Sequence, residues 1–426
     1  MPSSRLLFPL AVLCLVPLVG AQAAPDSGIN AADTAWMLVA TGLVLFMTIP
    51  GLALFYGGLV HRRNVLSVLM HCFALTCVMT LLWLFCGYSL SFSGGNAIIG
   101  DLKKAFLSDV TAKSESGTIP EILFFAFQMT FFIITPALIV GTFVERVRFS
   151  AVLIFSVLWA LVVYAPVCHM VWHENGWFFK MGVIDLAGGI VVHITAGVSA
   201  LVACIMIGKR RNPSPPHNLP MTVMGTAMLW FGWFGFNGGS GLHADGAAAM
   251  SLTVTHISAA TAAVAWMAIE WFHLRKPSAL GIATGSIAGL AAITPAAGVA
   301  GPLGAVLIGL CSGCVCWYFS VKLKNKFHYD DSLDVFGVHG VGGIVGTLLA
   351  AVVALPLLQG NAGAGYSAGA QLGKQALASV VVAAYSVVAT FVLLKLTGAL
   401  VGLRVNPSEE LEGLDTASHG ETAYND

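Results

Sequence analysis

The sequence predicts an all-α, polytopic membrane protein of eleven transmembrane helices, arranged as two inverted five-helix repeats plus a final helix. Three observations carry this expectation. The 426 residues are 57% hydrophobic and only 9% charged, whereas soluble domains carry about 25% charged residues, and the mean hydropathy is +0.85. Apolar stretches long enough to cross a hydrocarbon core of about 30 Å recur along the chain. The basic residues between these stretches alternate in density from one connection to the next. Continuous apolar runs exclude a β-barrel, whose strands alternate and are about 10 residues long.

Residues 1–23 carry Arg5, an apolar run from Leu6 to Val19 and the small-x-small sequence Ala21-Gln22-Ala23. This pattern predicts a secretory signal peptide cut after Ala23, leaving the mature N-terminus outside the cytoplasm. A transmembrane domain over 24–403 follows, with helices expected near 33–58, 65–92, 120–144, 149–171, 184–208, 219–238, 248–271, 279–295, 302–321, 335–358 and 373–403. An odd number of crossings that starts outside ends inside. Charge placement agrees: alternate connections carry Arg62 and Arg63, Arg146 and Arg148, Lys209 to Arg211, Arg275 and Lys276, then Lys322, Lys324 and Lys326. The others carry Lys103, Lys104 and Lys113 in one long loop, then only Lys180 and Lys374. The positive-inside rule therefore places residues 404–426 in the cytoplasm and the chain in the inner (cytoplasmic) membrane.

Twenty basic residues balance twenty acidic ones, so net charge points to no nucleic-acid partner. The nine cysteines form no framework. Cys311 and Cys314 have C-x-x-C spacing in an apolar context, which favours helix packing over metal or redox chemistry. In the eighth helix Gly281, Gly285 and Gly289 recur every four residues, the small-x-x-x-small pattern of close helix packing.

Two stretches concentrate the candidate chemistry. Asp185 to Gly197 contains His193, and Asp334 to Gly343 contains His339, each histidine with a glycine one turn further on. Ionisable residues within transmembrane helices mark functional sites. Asp185 opens the fifth helix, where it can cap the first turn, attract a cation, or do both. Asp334 opens the tenth helix beside Lys322, Lys324 and Lys326, where capping and loop pairing are the simpler roles. The two histidines sit on helices of opposite direction and are expected to meet near the midplane. A metal site needs more ligands than these segments supply, and no paired nucleophile suggests an enzyme. Aromatics form a third set: Phe127, Gln128 and Phe131 on the third helix, Trp172 ending the fourth, and Trp233 to Phe236 with Ser240 ending the sixth. Trp172 and Trp233 read either as interfacial belt residues or as a cation–π cage with Ser240 as acceptor.

At these residues the chain resembles the ammonium transporter family, the bacterial relatives of the Rhesus proteins. The matching stretches run from Phe55-Tyr56-Gly57-Gly58 through Phe127 to Phe131, Val144 to Ser150, His169 to Trp172, Asp185 to Gly197, Gly232 to Ser240 and Asp334 to Gly343, ending with Gly413 to Tyr424. The resemblance implies ammonium uptake with no cofactor. Trp172, Phe131 and Ser240 would form the substrate-binding recruitment site with Asp185 behind it, Phe131 and Phe236 the gate, and His193 with His339 the pore. It also implies a homotrimer embedded in membrane lipid, and a tail that answers to a PII-type nitrogen regulatory protein. The alternative is an ammonium sensor acting through such a partner. Glu409, Glu410, Glu412, Asp415 and Glu421 make the tail too acidic to be expected within the bundle. One departure from the family pattern is His173-Glu174-Asn175, which follows Trp172 where relatives often carry glycines and puts a titratable pair beside the expected vestibule.

Overall fold

The computed structural model describes residues 28–424; the expected signal peptide lies outside them. Among the described residues, eleven helices are long and apolar enough to cross a membrane: α1 (Ala31–Leu59), α2 (Arg62–Phe92), α3 (Glu121–Phe143), α4 (Phe149–Met181), α5 (Gly189–Ile207), α6 (Leu219–Gly238), α7 (Gly246–Leu274), α8 (Ala279–Ala296), α9 (Pro302–Phe327), α10 (Phe336–Val353) and α11 (Ala368–Val401). The number and order agree with the sequence expectation. Two short helices, α12 (Pro407–Glu412) and α13 (Leu414–His419), complete the chain. A two-residue hairpin, β1 (Glu115–Ser116) and β2 (Ile119–Pro120), closes the long loop before α3.

The boundaries differ where polar residues do local work. The fifth helix begins at Gly189 rather than 184, because Asp185 stands ahead of it and receives its free N–H groups. The eleventh begins earlier than expected, at Ala368, where the Ser367 hydroxyl caps Ala370 N–H. In α8 the glycine stripe packs as expected. A Cβ on Gly285 or Gly289 would stand 2.7 Å from side-chain atoms of Trp266 or Ala262 on α7.

The two halves meet where equivalent helices cross, α1 against α6 and α5 against α10. At the second crossing the contact is backbone to backbone. A Cβ on Gly197 of α5 would collide with Gly340 of α10, and one on Gly343 would reach Gly189 carbonyl and His193. Each histidine thus faces the glycine that follows its counterpart. Such contacts need residues without a side chain, because association in lipid rests on close packing rather than on a hydrophobic drive.

The tail does not hang free, contrary to what its acidity suggests. Glu410 is 8% exposed and Asp415 is 1% exposed. Glu410 grips Arg404 at 2.9 Å and Arg211 at 2.9 Å. Asp415 accepts the Ser67 N–H at 2.7 Å, and Leu414 N–H donates to Asn64 Oδ1 at 2.7 Å. The acids are the means of docking, not an obstacle to it.

Candidate functional site

A column of rings runs through the bundle. Trp172, at the end of the first segment of α4, stands edge-on to Phe131 of α3 at 5.8 Å and 90°. Phe131 lies 4.3 Å from Phe236 of α6 at 32°. Phe236 lies 6.1 Å from His193, and His193 lies 5.3 Å from His339. Phe131 and Phe236 are each 1% exposed, so their two rings close the column at this level.

Trp172 is positioned from below. Its indole N–H donates to the carbonyl of Asp185 at 2.8 Å. The Asp185 carboxylate is saturated: Oδ1 accepts from Gly188 and Gly189 at 2.9 and 2.6 Å, and Oδ2 from Ile190 and Val191 at 2.8 and 3.2 Å. Of the two sequence readings, the geometry favours the cap. Asp185 holds the first turn of α5, hence His193, and through its own carbonyl it orients Trp172. Its charge remains close behind the aromatic site. Ser240 donates its hydroxyl proton to Phe236 carbonyl at 2.6 Å. That leaves the oxygen lone pairs of Ser240 to accept from a donor.

Below the gate, His193 and His339 are 1% and 3% exposed. Their Nδ1 atoms lie 3.3 Å apart. One Nδ1 must donate and the other accept, so a neutral pair carries one ring protonated at Nδ1 and the other at Nε2. The pair therefore offers one N–H donor and one bare nitrogen away from the shared bond. His193 Nε2 has no protein partner. The cavity beside the pair is lined by Leu52, Ile134, Leu229 and Ile287 among others, with a volume of about 10 Å³. That is room for one water-sized molecule.

Three expectations change here. Trp233 belongs neither to a belt nor to an outer cage: it is 2% exposed, stacks against His193 at 5.5 Å and donates to Thr294 Oγ1 at 2.9 Å. It forms a wall beside the histidine pair. Asp334 does not cap α10; it pairs with Lys324. The cap is Asp331, whose Oδ1 and Oδ2 accept Val335 and Phe336 N–H at 3.1 and 2.8 Å. Asp331 precedes His339 by eight residues, the spacing of Asp185 to His193. It was the residue that a count of eight would have found. As for the departure at 173–175, His173 stacks on His169 at 4.5 Å and 14°, and its Nδ1 accepts the Asn175 N–H at 3.1 Å. It shapes the turn after Trp172, while Glu174 is exposed.

The model of the Ammonium Transporter Family matches residues 35–424. The chain belongs to the ammonium transporter family. It is 46% identical over 400 residues to the ammonium transporter of Bacillus subtilis, covering 92% of this chain and 98% of that one. Among solved structures it is similar to Mep2 of Saccharomyces cerevisiae, with 36% identity, a TM-score of 0.83 and coverage of 90% and 89% of the two chains. It is also similar to a protein described as a sensor Amt protein, with 29% identity, a TM-score of 0.85 and coverage of 91% and 98%. Among the described residues of this ammonium transporter family member, no group of three or more His, Cys, Asp and Glu could hold a metal ion.

Proposed function

We propose that this chain carries ammonium into the cell by recruiting the ion at Trp172, Phe131 and Ser240, deprotonating it at the gate, and passing ammonia between His193 and His339. The observation that carries the reading is the ring column, in which a cation-attracting end leads through a shut aromatic gate to a lumen too small and apolar for a hydrated ion.

Each part has a physical reason. Aromatic faces attract any small cation, but only ammonium donates directional hydrogen bonds, and Ser240 has its lone pairs available for them. An intact ion in the apolar lumen is costly. A neutral ammonia there finds both a donor and an acceptor on the histidine pair. A proton left at the gate can follow through the same pair, which makes uptake electrogenic. Asp185 supports recruitment as the charge behind the site and as the cap that orients Trp172.

The proposed orientation puts the Trp172 end outside and the tail in the cytoplasm of a bacterial inner membrane, with residues 1–23 removed as a signal peptide. The basic connections lie on the tail side, as the positive-inside rule requires. A homotrimer is supported by the surface of α6 and α7. His256, in the membrane part of α7, is exposed on a single chain beside Trp230 and Phe234, with ring centroids 5.3 and 6.0 Å away. Histidine facing lipid is unfavourable, and a neighbouring copy would cover it. Residues 404–426 act as a regulatory tail open to a PII-type partner.

Reconstitution in proteoliposomes tests the reading. An ammonium pulse produces an inward current in the wild type, a potassium pulse does not, and Asp185→Ala loses most of the ammonium current. Normal conduction by Asp185→Ala sinks the role given to this residue. The similarity to a sensor Amt protein favours keeping a second reading, in which binding a cytoplasmic partner is the main output. Restored growth of a transporter-deficient cell on limiting ammonium decides for transport.

A further inference from the structure

Phe149, the first residue of α4, is flanked by two histidine rings from distant parts of the chain. His71 of α2 lies 5.3 Å away, and His419, the last residue of α13, lies 5.2 Å away at 83°. His71 is 2% exposed, and neither of its ring nitrogens has a well-formed hydrogen bond. The Nε2 of His419 is likewise shielded and without a partner, as is Oδ2 of Asp415 one turn earlier. Ammonia conduction uses none of these groups. They sit at the seam where the tail docks, held by Asp415 on Ser67 N–H and by Leu414 N–H on Asn64.

We propose that His419 makes the docked tail a proton-sensitive latch: acidification on the tail face charges its ring at the seam and releases α13 from α2. A neutral imidazole tolerates the seam. An imidazolium there has a donor at Nε2 with no acceptor, and charged donors left unpaired in a buried site are strongly unfavourable. His71, on the opposite side of Phe149, offers the charged ring no counter-charge. The acids near His419 act the other way. Asp415 and Glu421 both favour the charged ring, and burial outweighs them, so His419 titrates below its ordinary 6.5. The guanidinium of Arg148, next to Phe149, is engaged with the carbonyls of Val401 and Arg404.

The sign follows from the lowered value. A histidine that binds its proton less tightly when docked contributes to docking above pH 6.5, and the contribution fades as pH falls below it. Asp415 has the opposite sign, since burial raises it above 3.8. For a ring that stays neutral when docked, the docking equilibrium weakens about tenfold between pH 7.5 and 5.5. Release has a route to the pore. Leu414 is bonded to Asn64, Asn64 Nδ2 to Glu145 at 3.0 Å, Glu145 to Arg210 at 2.7 Å, and Arg210 Nε to Asp330 at 3.0 Å. Asp330 adjoins Asp331, the cap of the helix that carries His339.

The tail offers Glu409, Glu410, Glu412 and Glu421 to a glutamate-specific protease. The purified full-length protein is digested at pH 7.5 and 5.5, and each rate is divided by that of a free peptide with the sequence of residues 404–426. The expected result is protection in the wild type that falls up to about tenfold at pH 5.5, and protection in His419→Phe that does not fall at pH 5.5. Unchanged wild-type protection overturns the proposal, as does a His419→Phe protein that responds like the wild type. If His419→Phe fails to dock at either pH, His419→Gln takes its place under the same two criteria. Asp415→Asn removes the opposing titration and is expected to deepen the response. Protection is read without ammonium or transport, so the latch and the transport reading fail separately.

Discussion

In the proposed recruitment site, Ser240 is the one residue whose contribution would be purely a hydrogen bond. Its proton is committed to Phe236 carbonyl at 2.6 Å, so under the proposed reading it serves ammonium as an acceptor. Ser240→Ala removes that acceptor and leaves the rings in place. The expected outcome is a half-saturating ammonium concentration raised about five- to tenfold, from the loss of about 1–1.5 kcal/mol, with the maximal current little changed. The concentration dependence of the liposome current measures it. Trp172, Phe131, Phe236, His193 and His339, singled out in the sequence, do stand in one column of rings, because buried histidines and interrupted aromatic clusters stand out in an apolar chain. Trp233 was not legible in the same way. A tryptophan near a helix end reads equally as belt, cage or wall, and only the position of α6 against His193 decides.

The two histidine-bearing helices α5 and α10 each start with a carboxylate that takes up free N–H groups of the first turn. Asp185 serves four and Asp331 serves two. This pairing was hidden in the sequence because Asp334 lies nearer to the histidine motif and drew the comparison to itself. The shared eight-residue spacing from acid to histidine is the sequence signal that separates Asp331 from Asp334. The consequence can be checked by exchanging each acid for its amide. Asp331→Asn keeps shape but loses one acceptor, leaving an orphan donor at a buried helix start, and is expected to cost about 1–2 kcal/mol. Asp334→Asn weakens the contact with Lys324, in which both side chains stay partly open to solvent at 22% and 27%, and is expected to cost less, about 1 kcal/mol at most. Thermal unfolding in detergent should therefore rank Asp331→Asn clearly below Asp334→Asn. Equal midpoints would remove the cap role from Asp331.

At the scale of the molecule, crossing number and order were legible because twenty-residue apolar runs and basic connections are coarse signals that survive local variation. Tail docking was not, since Glu410 and Asp415 find their partners at Arg211, Arg404 and Ser67, which only the folded bundle brings together. Beside the docked tail lies a second ionic group around Asp330, which binds the fully buried Arg146 at 2.6 Å and Arg210 at 3.0 Å. Burial alone would push its carboxyl up, but the two guanidinium groups hold it at about 2, below its ordinary 3.8. A depressed carboxylate contributes stability above its unfolded value and loses it as pH falls toward the folded one. From 3.8 to about 2, that contribution is about 2 kcal/mol. Asp330→Asn should lose it and also leave Arg146 buried without its counter-charge, which adds to the cost. The expected signature is a midpoint deficit relative to wild type that stays constant from pH 7 to about 5 and narrows below 3.8 as the wild-type carboxylate is titrated in the unfolded chain. Because the same residue joins the Arg210–Glu145–Asn64 path to the tail, Asp330→Asn is also expected to speed glutamate-specific cleavage of residues 409–421 at neutral pH. A variant that melts lower but keeps its tail fully protected would separate the stability of this network from any part in holding the tail.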